Sequence, residues 1–137
     1  MIDAVILDTT PLGITTGRQD KIETQAIRNW AMSLALRGCK LYVPEIADYE
    51  VRRELIRAGK LAGLVRLDLF VNTSEFIPIS TSIMRNAAEI WADARNQGIA
   101  TADVQALDGD VIVVAQSISL NLDRSRFVVA TENVAHL

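Results

Sequence analysis

Four side chains in this sequence carry oxygen donors at positions suited to chemistry: Asp8, Glu50, Asp110 and Asn133. Asp8 follows the apolar run Ala4-Val5-Ile6-Leu7, which reads as a short buried strand. Ligands of open α/β sheets bind just beyond the carboxyl ends of strands, so an acid there is badly placed for a core and well placed for a site. Glu50 sits in Tyr49-Glu50-Val51 with the apolar Ala47 and Ile46 three and four places before it and Leu55 and Ile56 ahead of it, near the apolar flank of a helix. A carboxylate in such a place should be paired or bound to a cation; pairing with Arg53 along the helix is the plainer alternative. Asp110 begins Asp110-Val111-Ile112-Val113-Val114-Ala115-Gln116, and Asp108 stands two residues earlier. Asp108 suits a helix N-cap, which leaves Asp110 in the first turn as the better ligand. The Asn133 amide can bind a hard cation or orient a water, although turn chemistry accounts for an Asn there equally well.

Mg²⁺ and Mn²⁺ favour carboxylate and water oxygens. Three carboxylates brought together with no cation and no proton would repel one another. A cluster of Asp8, Glu50 and Asp110 is therefore sensible as a divalent-cation site able to neutralise charge on a phosphodiester. Thr9 and Thr131 carry hydroxyls that can orient a water or a carboxylate, or merely hold a loop. Arg52, Arg53 and Arg57, continued by Lys60 and Arg66, form a basic stretch that can steer a nucleic-acid backbone or serve as a solvated helix face.

The elements that must position these residues follow from periodicity. Strands are expected at residues 2–8, 41–43, 76–79 and 127–129. Helices are expected from Lys21 to Arg37, over 45–58, over 60–72, from Ser80 or Thr81 to Gln97, and over 108–120. Residues 9–20 hold Pro11, Gly13, Gly17 and Asp20 and read as a turn-rich loop. Trp30 and Trp91 fit helical core positions. Strands separated by helices predict an α/β layered fold with a parallel sheet and right-handed crossovers, in one domain spanning residues 1–137.

Composition limits the function classes. Aromatic residues make up 5% of the chain, which disfavours recognition of nucleic acid by base stacking. The formal charge of −3 disfavours non-specific duplex binding, but leaves open phosphate binding through a cation held by carboxylates. One cysteine, Cys39, and one histidine, His136, cannot form an internal disulfide or a zinc cluster. The N-terminus has neither a basic segment nor a long apolar run, and no stretch approaches the ~20 apolar residues of a membrane span. A soluble, cytoplasmic protein is expected. No glycine-rich phosphate loop is present. Thr10 stands where a haloacid-dehalogenase-like phosphatase would need a second Asp after Asp8, and Asp3 with Asp8 does not supply the acidic pair of a response-regulator receiver.

Four segments in order, Leu7-Asp8-Thr9-Thr10, Tyr49-Glu50-Val51-Arg52-Arg53-Glu54-Leu55, Asp110 through Gln116, and Val128-Val129-Ala130-Thr131-Glu132-Asn133, together resemble a PIN domain over essentially the whole chain. The resemblance implies a three-layer α/β/α domain with a central parallel sheet of four or five strands. It implies a Mg²⁺- or Mn²⁺-dependent ribonuclease, as in VapC-type toxins of toxin–antitoxin pairs. The family's acids fall on Asp8, Glu50 and Asp110, and its fourth metal-site position, often Asp, on Asn133. An RNA substrate, an antitoxin partner and a homodimer are the corresponding expectations, with apolar helices offering the groove for an antitoxin peptide or a second copy. The alternative is a catalytically inactive PIN-like module that binds protein or RNA.

Overall fold

The computed structural model describes residues 2–18, 20–98, 104–123 and 125–131, with the backbone alone for 104–107. Its elements run β1 (Ala4–Leu7), α1 (Thr9–Thr15), α2 (Ile22–Leu36), β2 (Lys40–Pro44), α3 (Glu45–Arg57), α4 (Leu61–Thr73), β3 (Glu75–Ile77), α5 (Thr81–Asn96), α6 (Val104–Ile118) and β4 (Phe127–Ala130).

The four strands form one parallel sheet in the order β3-β2-β1-β4. β1 is central and all four of its residues are buried, as a parallel strand covered on both faces requires. Val5 and Leu7 point to one face and join Leu12, Val43, Ala47, Val51 and Leu67, so α1, α3 and α4 cover that side. α5 and α6 pack through Ile83, Ala87, Val111 and Ala115, with Trp91 against them. This is the expected α/β architecture with a central parallel sheet, with four strands among the described residues.

Three expectations are corrected. Residues 9–15 form α1 instead of a loop. Asp8 is extended and caps this helix by accepting the Thr9 N–H at 2.7 Å. Pro11 falls in the first turn, where its missing N–H would have had no partner in the helix. The second correction is α6, which begins at Val104, four residues before Asp108. Asp108 is therefore an exposed residue of the second turn and caps nothing, and Asp110 lies beyond the first turn. The third is Trp30, which is 38% exposed.

One buried polar residue ties three elements together. Gln116 of α6 is fully buried. Its Nε2 donates to the Ile77 carbonyl at the end of β3 (2.6 Å), and its Oε1 accepts from the Ile46 N–H in the first turn of α3 (3.4 Å). Pro44 precedes α3 and offers no side-chain cap, so Gln116 satisfies one of the free N–H groups from another helix.

Candidate active site

β1 and β4 run parallel in register from Ala4↔Phe127 to Leu7↔Ala130, and the Asp8 N–H continues the pairing by donating to the Ala130 carbonyl at 3.0 Å. Asp8 and Thr131 therefore leave the sheet side by side. The Thr131 hydroxyl donates to Asp8 Oδ2 at 2.8 Å, and the Thr9 N–H holds Oδ1. Both oxygens of this half-buried carboxylate are fixed, and each retains acceptor capacity.

Glu50 reaches the same place from α3. Ala47 and Val51 of that helix are buried against the sheet, and Glu50 lies next to that face, with its side chain 26% exposed. The Thr9 hydroxyl donates to Glu50 Oε1 at 2.9 Å, and Arg53 Nη2 stands 3.6 Å from Oε2. Thr9 thus touches Asp8 with its backbone and Glu50 with its side chain. The Glu50 carboxylate also lies against Gly109, the residue before Asp110: a Cβ placed on Gly109 would meet Oε1 at 3.2 Å and Oε2 at 3.4 Å.

Of the residues singled out in the sequence, Asp8, Thr9, Glu50 and Thr131 come together through direct hydrogen bonds. Asp110 is half-buried on α6, adjacent to the glycine that Glu50 touches. Among the described residues, no three His, Cys, Asp or Glu side chains stand close enough together to hold one ion. Asn133 and His136 lie outside the described residues. The oxygen donors that do meet are carboxylates and hydroxyls, a set matched to a hard cation and unsuited to a soft one.

The three arginines differ in their surroundings. Arg52 bridges Asp48 on its own helix (3.0 Å) and Asp68 on α4 (2.8 Å), and these two carboxylates push its pKa up. It links α3 to α4. Arg53 is more than half exposed and lies over the Tyr49 ring at 5.2 Å. Arg57 is exposed and paired with Glu54. A groove of about 1080 Å³ opens beside Thr9 and Glu50, between α1 and the α3–α4 pair. Arg53 and Arg57 line it together with Arg18, Lys21, Lys60 and Arg66, alongside Glu23 and Glu54. Arg18, Lys21 and Gly109 carried no signal in the sequence, since only the fold brings them to this place.

No family model matches the chain. No curated protein matches it either. Among solved structures, it is similar to a chain of VapBC2 from Rickettsia felis bound to a DNA fragment from their promoter. The TM-score is 0.72 at 16% sequence identity, over 96% of this chain and 89% of the other. At that identity the likeness shows the fold.

Proposed function

We propose that this protein is a divalent-cation-dependent ribonuclease acting as the toxin of a toxin–antitoxin pair. The observation that carries the reading is the meeting of Asp8 and Glu50 on Thr9, at the C-terminal end of a parallel sheet. Two carboxylates from distant segments, each fixed by a hydroxyl, suit Mg²⁺ or Mn²⁺, because such ions commonly take one or two carboxylates and keep several waters. Asp110 would add a third carboxylate from α6, and Asn133 an amide oxygen. When bound, the cation supplies charge neutralisation at a phosphodiester and makes water more acidic.

The chain's own residues have separable tasks in this reading. Asp8 and Glu50 hold the cation. Thr9 and Thr131 keep the two carboxylates from turning away. Arg53 and Arg57, in the groove beside Glu50, attract the RNA backbone. An antitoxin partner is supported by the likeness to a VapBC2 chain and by unpartnered apolar surface. Leu61, Val65 and Leu69 stand along α4 at 59–75% exposure, and Met32 and Leu36 on α2 are also exposed. The same surface would serve a homodimer. Among the described residues, no helix is long and apolar enough to cross a membrane; a cytoplasmic location belongs to the toxin reading.

A second reading is a catalytically inactive PIN-like module that binds RNA or protein. The observation favouring it is that the described residues hold no group of three His, Cys, Asp or Glu side chains placed to bind a metal ion. RNA cleavage separates the two. The proposal expects Mg²⁺- or Mn²⁺-dependent cleavage by the parent and a loss of at least about a hundredfold in Asp8→Asn, since removing a ligand should cost no less than disturbing its supporting shell. If Asp8→Asn cleaves RNA as well as the parent, the catalytic assignment is wrong.

A further inference from the structure

Gly109 lies in the interior of α6, where glycine is the poorest helix former after proline. It does not need glycine's conformational freedom: the glycines with positive φ are Gly38, Gly59 and Gly98, each following a helix. What it supplies is room. A Cβ at this position would lie 3.2 Å from Glu50 Oε1, 3.4 Å from Oε2 and 3.6 Å from Cδ, so the whole carboxylate rests against the bare backbone of α6. Gly63 of α4 serves ordinary packing by contrast, since its Cβ would meet the apolar tip of Leu55.

The carboxylate cannot yield to a methyl group without loss. Thr9 holds Oε1 at 2.9 Å, and Arg53 faces Oε2 at 3.6 Å. The helices cannot easily spread either. Gln116, two turns further along α6, is bound to Ile46, one turn before Glu50 on α3. The gap between α3 and α6 is thus pinned close to the contact.

We infer that Gly109 is a positioning residue, whose missing side chain lets the Glu50 carboxylate lie against α6 beside Asp110 while remaining bound to Thr9. This rests on the reading of Glu50 as a cation ligand. A methyl at 109 would turn the carboxylate away from Thr9 and misplace it for an ion shared with Asp8.

The test uses the full chain and Mn²⁺ alone, followed by calorimetric titration, with melting of the metal-free proteins measured in parallel. Gly109→Ala should bind Mn²⁺ about tenfold more weakly than the parent, the loss typical of a disturbed supporting shell. Its metal-free Tm should stay near that of the parent. In a Glu50→Ala background, where nothing opposes the methyl, the same substitution should raise Tm by several degrees through its helix preference. Parent-like Mn²⁺ affinity in Gly109→Ala, with affinity lost in Glu50→Gln, would overturn the inference alone. If Glu50→Gln also binds as the parent does, the ligand reading beneath it falls with it. An equal Tm change from Gly109→Ala in both backgrounds would contradict the contact itself.

Discussion

Thr9 joins Glu50 to the end of the central strand: its hydroxyl donates to Glu50 Oε1 at 2.9 Å while its backbone N–H donates to Asp8. One residue therefore sets the spacing between two carboxylates that lie 42 positions apart in sequence (50 − 8). The arrangement is possible because Asp8 caps α1, and the cap directs Thr9 into the first helical turn.

Thr9→Val tests this link. It removes the hydroxyl and keeps the N–H that holds Asp8. Cleavage of RNA should fall by about tenfold in kcat/KM, equivalent to ~1.4 kcal/mol of transition-state stabilisation. Melting temperature should change little, because the lost bond is partly exposed to water. Unchanged kinetics would remove Thr9 from the site.

The arginines should separate by role. Arg52→Met breaks the bridge between α3 and α4 and should lower stability by about 1 kcal/mol in urea unfolding, with RNA affinity unchanged. Arg53→Ala and Arg57→Ala should leave stability nearly intact. They should weaken RNA binding and flatten its dependence on salt by roughly one ion each. The opposite pattern would place the RNA path elsewhere.

Gln116→Met should be the most damaging of these substitutions to the fold. It leaves the buried Ile77 carbonyl and the part-buried Ile46 N–H without their partner. Each unsatisfied group costs ~1–3 kcal/mol, so a loss of roughly 2–6 kcal/mol is expected in denaturant unfolding. A loss below about 1 kcal/mol would mean that water replaces the amide.

Acid should act on the start of the sheet. The Arg126 hydrogen bond holds the Asp3 carboxyl below its usual pKa, pairing the residue before β1 with the one before β4. A folded pKa below the unfolded one means that the stabilisation is complete above about pH 4 and is lost as pH falls through the lowered value. Asp3→Asn should therefore lose less Tm between pH 5 and pH 3 than the parent, by a small amount that salt reduces, since both partners are exposed. Parallel Tm profiles would show that the pair contributes nothing.

Among the described residues, the four strands and five of the six helices are legible because each carries a clear apolar period. α1 was hidden by Pro11 and Gly13, which read as turn residues. Proline in a first helical turn breaks nothing, and Gly13 makes an ordinary contact with Val51 inside the helix. The start of α6 is masked for a related reason: Asp108 has the chemistry of an N-cap, yet the helix begins at Val104 and Asp108 lies within it. Asp8, Glu50, Thr9 and Thr131 could be picked out as candidates from residue type and place. Their hydrogen bonds to one another could not, since these depend on the register of β1 with β4 and on the packing of α3. Gln116 carried no core signal because its burial depends on partners from two other elements.

In the proposed function, Asp8 and Glu50 share a divalent cation. The most direct measurement is an anomalous difference map from a crystal soaked in Mn²⁺. A peak is expected within coordination distance of both carboxylates, with Asp110 turned toward it. No peak at high Mn²⁺ concentration, with the carboxylates splayed apart, would contradict it.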